Sequence, residues 1–253
     1  MTLQEIQRGI DELGPWFYPF ELPEGLHTTS LVPPEVRGIF DTRLRMLESV
    51  LHSHFGDRES GLECLDVGCH EGFYSLAMAR RGWIVRGVDG REDNLRRARF
   101  IAEACQNDVF YRLGRVETLA ADEGRQYDLT LFLGVLYHLE DPMQGLRQVA
   151  AVTRDLCVIE TQVVDEVEGS TEWGSREWHR PYQGILALID ETPELTDGCR
   201  ETGLTPMVTC PSPKALRFML RQAGFTRIEA VAPPADAYEQ HARGRRVVYA
   251  AWK

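Results

Sequence analysis

Leu62-Glu63-Cys64-Leu65-Asp66-Val67-Gly68-Cys69-His70-Glu71-Gly72, followed one short helix later by Trp83-Ile84-Val85-Arg86-Gly87-Val88-Asp89, reads as a nucleotide-binding βαβ unit. An apolar run ends in a glycine turn, the turn opens a helix, and a second apolar run ends in a carboxylate. Small residues at Ser75, Ala77 and Ala79 suit a helix packed close to a sheet. Gly68, without a Cβ, lets the chain turn sharply and approach a ligand. The helix N-terminus offers unpaired N–H groups. Asp89 lies 21 positions after Gly68, near the spacing at which an acid meets ribose hydroxyls.

The dinucleotide fingerprint requires glycine where this chain has His70 and Phe73. A pyrophosphate approaching there would meet side chains, which argues against a nicotinamide dehydrogenase. Asp-Val-Gly-Cys-x-x-Gly instead resembles motif I of the class I S-adenosylmethionine-dependent methyltransferases. That resemblance implies an α/β fold: a Rossmann-like seven-stranded methyltransferase sheet with helices on both faces. It implies S-adenosyl-L-methionine as cofactor. Asp66, Gly68, Cys69 and Gly72 would form the turn at the methionyl end. Asp89 with Gly90 would hold the ribose, and Val116 with Glu117 would follow the adenine edge.

A second likeness lies downstream. Leu133-Gly134-Val135-Leu136-Tyr137-His138, with Pro142 after it, resembles the segment after the fourth strand in bacterial tRNA wobble-uridine (carboxy)methyltransferases. The Glu160-Thr161 strand end and the Ala223-Gly224-Phe225 turn resemble that group too. There, the positions matching Leu133 and Tyr137 contact a carboxylated cofactor, gripped also by a lysine and an arginine. Lys214 and Lys253 are the chain's two lysines, and neither matches. Arg245 or Arg246 is a loose match for the arginine. The reading is therefore plain S-adenosylmethionine.

The 253 residues suit one large α/β domain or two small ones. Residues 1–54 read as an N-terminal helical and aromatic lid segment. Residues 55–253 read as the methyltransferase domain. Leu3, Ile6, Ile10 and Leu13 have helical spacing and stop at Gly14-Pro15. The aromatic stretch 15–33, with Trp16, Phe17, Tyr18 and Phe20, is either a wall over the ligand or a strap over an apolar face. A helix is expected from Glu35 to His54. The nearly continuous apolar run Tyr127–Leu133 suits a central parallel strand. Pro142 opens a helix, and a strand ends near Glu160. Residues 163–209 lose periodicity and read as a substrate-side insertion after strand 5, over the carboxyl ends of the strands. Ser212 caps a helix that Gly224 ends, and the loop from Ala232 to Gly244 joins two final strands.

Hydrophobic residues make up 43% and charged residues 26%, ordinary for a globular protein. The net charge of −11 argues against nucleic acid as partner. The arginines between Arg80 and Arg99 read as a solvated helix face. The six cysteines form no C-x-x-C pair and no zinc spacing, which suggests buried, reduced thiols and no metal. No apolar run reaches membrane-span length, and no apolar signal core opens the chain. The expected setting is cytoplasmic, with a small-molecule substrate; a homo-oligomer is left open.

The expected function is methyl transfer to oxygen, nitrogen or carbon of a small organic molecule, as in secondary metabolism. A hydroxyl acceptor must lose a proton, a task suited to histidine. His138, just past a strand end, is the first candidate base and His179 in the insertion the second. Tyr137 would line the methyl group. The alternatives are a tRNA wobble-uridine methyl or carboxymethyl transferase, and a non-catalytic cofactor-binding or partner-regulating protein on the same scaffold.

Overall fold

The computed structural model describes residues 1–173, 176–196 and 201–253, the side chains of 172–179 excepted. Seven strands form the main sheet: β1 (Glu63–Val67), β2 (Ile84–Asp89), β3 (Val109–Leu113), β4 (Tyr127–Leu133), β5 (Thr153–Gln162) and two from the C-terminal part of the chain. In chain order those two are the tenth and eleventh strands, β10 (Arg227–Val231) and β11 (Arg246–Trp252). The order across the sheet is β3-β2-β1-β4-β5-β11-β10. The first five run parallel, and β11 enters antiparallel between β5 and β10. This is the Rossmann-like methyltransferase sheet that the sequence suggested.

β4 explains why the sheet is covered on both faces. Its side chains alternate between two cores. Leu129, Leu131 and Leu133 join a cluster with Leu47 and Leu51. Phe132 points the other way, against Leu146 and Ile159. A strand buried on both faces needs a nearly continuous apolar run. Leu129–Leu133 supplies it, broken by Thr130, whose buried hydroxyl accepts from the Thr153 hydroxyl at 2.9 Å.

Helices α1 (Leu3–Leu13), α2 (Gly38–His54), α3 (Phe73–Arg80), α4 (Glu92–Ala104), α5 (Leu119–Glu123) and α6 (Pro142–Val152) follow in order. Thr2 and Glu5 form a capping box at the start of α1. A Cβ on Gly9 would meet the Phe100 ring at 2.1 Å, so α1 lies directly on α4. α2 begins at Gly38 rather than Glu35, because the residues after Pro33-Pro34 first make a turn. Asp141 caps α6 through the Gln144 N–H.

The stretch 15–33 straps an apolar face, and its Phe17 and Tyr18 line a cavity. Trp16 and Phe20 are buried in the core beneath it. Trp16 donates its indole N–H to the Ile10 carbonyl at 2.9 Å.

The insertion is more regular than its sequence suggests. It holds β6 (Ser170–Trp173) paired with β7 (Arg176–Pro181), then β8 (Leu186–Asp190) paired with β9 (Met207–Pro211). A short helix α7 (Pro193–Thr196) follows β8. β8 is largely exposed on both sides, so no alternation betrays it. Helix α8 (Pro213–Ala223) is capped by Ser212 and ended by left-handed Gly224 as expected. A four-residue helix α9 (Glu239–Ala242) lies within the loop before β11.

Among the described residues no helix is long and apolar enough to cross a membrane. Nor does any group of three or more His, Cys, Asp or Glu stand ready for a metal ion. Cys64, Cys69, Cys157 and Cys210 are buried free thiols and Cys105 is half-buried.

Candidate active site

Two adjoining cavities lie at the carboxyl ends of β1, β2 and β4. The first is a crevice. Gly68, Asp89, Gly90, Val116 and Glu117 line it, from the turn after β1 to the loop after β3. Gly68 sits at φ +71°, and a Cβ there would lie 2.4 Å from Val135 Cγ2. Asp89 is 7% exposed. One of its oxygens accepts the His70 N–H at 2.9 Å. The other accepts the Arg91 N–H at 2.9 Å and the Asn94 amide at 3.1 Å. Those bonds aim the carboxylate, and a carboxylate has lone pairs beyond the three they use.

Three of the four residues assigned to the turn at the methionyl end lie outside this lining. Asp66 is 2% exposed and accepts the Ser75 hydroxyl at 2.6 Å. Burial raises its pKa to about 6. Cys69 is buried against Gly87. Gly72, left-handed at φ +82°, caps α3 and lets Tyr111 pack close. These residues build the turn from behind.

The second cavity is a chamber walled by Phe17, Tyr18 and Phe40, with Leu133, Tyr137 and Arg246 also lining it. It meets the crevice at Gly68, His70, Gly134, His138 and Glu201, which line both. Leu133 and Tyr137 therefore face the chamber rather than the crevice. The side chain of His179 lies outside the described residues.

A buried charge cluster forms the chamber floor. Glu160, fully buried, pairs with Arg43 at 3.0 Å and Arg246 at 3.1 Å, and His241 stands 3.4 Å away. Burial alone would raise the Glu160 pKa, but the two guanidinium groups hold it well below the carboxylate range. Arg246 also donates to the Tyr137 hydroxyl at 3.2 Å and to Gln240 at 2.8 Å. Arg43 keeps a buried Nε without a hydrogen-bond partner.

Two histidines stand where the cavities join. His70 pairs with Glu201 at 2.9 Å. Burial disfavours its charged form, yet the bond to Glu201 outweighs that and raises its pKa. His138 contacts Glu191 at 3.2 Å. There burial dominates and its pKa is lowered. Both acids come from the insertion.

Local sequence gave no signal for Arg43, Glu191 or Glu201, because each reaches the site from a distant segment. His70 was visible only as an obstacle in the glycine turn.

A family model described as "Methyltransferase domain" matches residues 39–230. The chain is 35% identical over 120 residues to the mitochondrial ubiquinone biosynthesis O-methyltransferase of Arabidopsis thaliana, covering 44% of this chain and 37% of that one. It is 32% identical over 142 residues to the O-antigen chain terminator bifunctional methyltransferase/kinase WbdD of Escherichia coli, covering 54% and 18%. The chain thus spans well under half the length of these curated relatives. The solved N-terminal domain of EvdMO1, in the presence of SAH and D-fucose, superposes with a TM-score of 0.73 at 26% identity, covering 100% of this chain and 97% of that one. The match over 39–230 takes in β1 to β5 and the whole lining of the crevice, while Phe17, Tyr18 and Arg246 of the chamber lie outside it: the chain belongs to the methyltransferase domain family, on the class I S-adenosylmethionine-dependent methyltransferase fold.

Proposed function

We propose that this protein transfers a methyl group from S-adenosylmethionine to a small organic acceptor, with oxygen the favoured atom. The junction of crevice and chamber at Gly68, Gly134 and His138 carries the reading. A ligand along the crevice presents one end to an aromatic-walled space.

The residues fit that donor. Asp89 receives the ribose hydroxyls, with Gly90 beside it. Val116 and Glu117 border the base. Arg43 takes the methionyl carboxylate: its Nε is buried and unpartnered, and both its terminal nitrogens lie 3.4 Å from where a Gly134 Cβ would be. The bound donor supplies a methyl group already activated on a sulfonium.

The protein then has to align, exclude water and move one proton. Phe17, Tyr18 and Phe40 give the acceptor apolar walls. Tyr137 accepts a hydrogen bond from Arg246, which leaves its own proton to donate to the acceptor. His138, its pKa lowered by burial, is neutral at pH 7 and takes the acceptor hydroxyl proton. Residues 1–54 supply the acceptor wall and residues 163–209 the cover. The names of the relatives, O-methyltransferases among them, support oxygen as acceptor atom.

The test is calorimetry with S-adenosylhomocysteine, then isotope-labelled S-adenosylmethionine offered with a panel of phenols, sugars and amines. Binding with label transfer to a hydroxyl is expected, and His138→Ala should abolish most of the transfer while leaving affinity intact. Binding without transfer to any panel member would favour a non-catalytic scaffold. No binding would reject the reading.

A further inference from the structure

We propose that Glu191, from the insertion, is the positioning residue for His138: its carboxylate fixes the imidazole with Nδ1 protonated and Nε2 open toward the acceptor. This rests on the methyl-transfer reading above, in which His138 is the base. Glu191 Oε2 lies 3.2 Å from His138 Nδ1. A carboxylate only accepts, so the contact selects the tautomer that carries its proton on Nδ1. No hydrogen bond among the described residues engages Nε2, and His138 lines both cavities.

Glu191 is itself held. The same oxygen accepts the Gly203 N–H at 2.6 Å, and the Glu191 N–H donates to the Pro206 carbonyl at 2.6 Å. Gly203 is pressed against the turn that carries the histidine: a Cβ there would lie 2.7 Å from the His138 carbonyl oxygen. Thr209 of β9 ties down the next residue, donating its N–H to the Leu139 carbonyl at 3.1 Å. Both the acid and the base are therefore fixed in place, and the side chains are only 15% and 19% exposed. Such an arrangement removes the ring rotations and the second tautomer that a lone histidine samples.

Other groups act on His138 as well. Burial lowers its pKa most and Arg246 lowers it further, while Glu191 and Glu201 raise it. Tyr137 covers one side of the ring, at 4.1 Å between centroids. Removing Glu191 takes away one of the two influences that favour the charged form, so the pKa should fall further.

The experiment uses the full chain with ¹⁵N-labelled histidine. Ring-nitrogen spectra are recorded across pH, with and without S-adenosylhomocysteine. In the wild type, neutral His138 should show a protonated Nδ1 and a bare Nε2. Glu191→Ala should shift the population toward the Nε2–H tautomer and move the His138 titration to lower pH, and Glu191→Asp should restore part of both. A wild-type spectrum dominated by the Nε2–H tautomer overturns the proposal, as does a folded Glu191→Ala protein with unchanged tautomer and titration. The wild-type spectrum decides even if the alanine variant fails to fold. Calorimetry with S-adenosylhomocysteine runs in parallel: absence of binding rejects the methyl-transfer reading, while the tautomer without ligand still reports on the pair.

Discussion

The Glu71 carboxylate accepts the backbone N–H of Phe17 at 3.0 Å, across 54 positions of sequence. It also accepts the N–H of Tyr18 at 3.1 Å. The turn that shapes the crevice thus pins the aromatic wall of the chamber. Glu71→Ala should strand those N–H groups, at about 1–3 kcal/mol for each that stays buried. Faster limited proteolysis within residues 15–33 and a lower Tm are the expected results; wild-type resistance would show that packing alone holds the strap.

Asp89→Ala should weaken S-adenosylhomocysteine at least ten-fold, roughly the 1.5–3 kcal/mol of a charge-assisted hydrogen bond. Titration calorimetry on the folded variant measures it, and unchanged affinity would remove the ribose role.

Arg43→Gln separates the two ends of the donor. S-adenosylhomocysteine should lose about ten-fold or more in affinity, while 5′-methylthioadenosine, which lacks the amino acid end, should bind nearly as before. Equal losses for both ligands would mean that Arg43 acts only on the fold.

Glu160→Gln leaves two buried guanidinium groups facing each other. Breaking such a cluster costs about 3–5 kcal/mol, read as a large fall in Tm. The pH dependence has a definite sign. The folded pKa of Glu160 is depressed, so its contribution is present above the ordinary carboxylate range and shrinks as pH falls toward that depressed value. The gap between wild type and variant should persist through mildly acidic solution.

Asp66 gives the opposite sign. Its folded pKa is raised to about 6, so the folded state holds a proton that the unfolded chain releases earlier. Wild-type stability should therefore fall as pH rises through that window. Asp66→Asn keeps an acceptor for Ser75 and should be more stable than wild type at pH 8, by up to about 3 kcal/mol. The two should converge near pH 4. A variant less stable at pH 8 would contradict the assignment.

The parts legible in the sequence are those whose physics is local. Gly68 and Asp89 announce a turn and an acid at a fixed spacing, and both line the crevice. The apolar run of β4 announces a strand covered on both faces. Tyr137 and His138 follow it directly and reach the chamber. Arg43, Glu191 and Glu201 carried no such mark, since a charged residue on a helix or loop looks solvated until distant chain covers it. β8 escaped notice because both of its faces are largely exposed, and α5 and α9 are too short for a helical period to register.

Leu204 lies against Gly90, a Cβ on which would come within 2.6 Å of it, and Arg91 donates to the carbonyls of Thr202 and Gly203 at 2.9 and 3.3 Å. Trimming the protein to a minimal sheet-and-helix scaffold by excising the stretch between β5 and α8 would therefore strip one side from the crevice itself. An engineer who wants a smaller catalyst has to rebuild that side first.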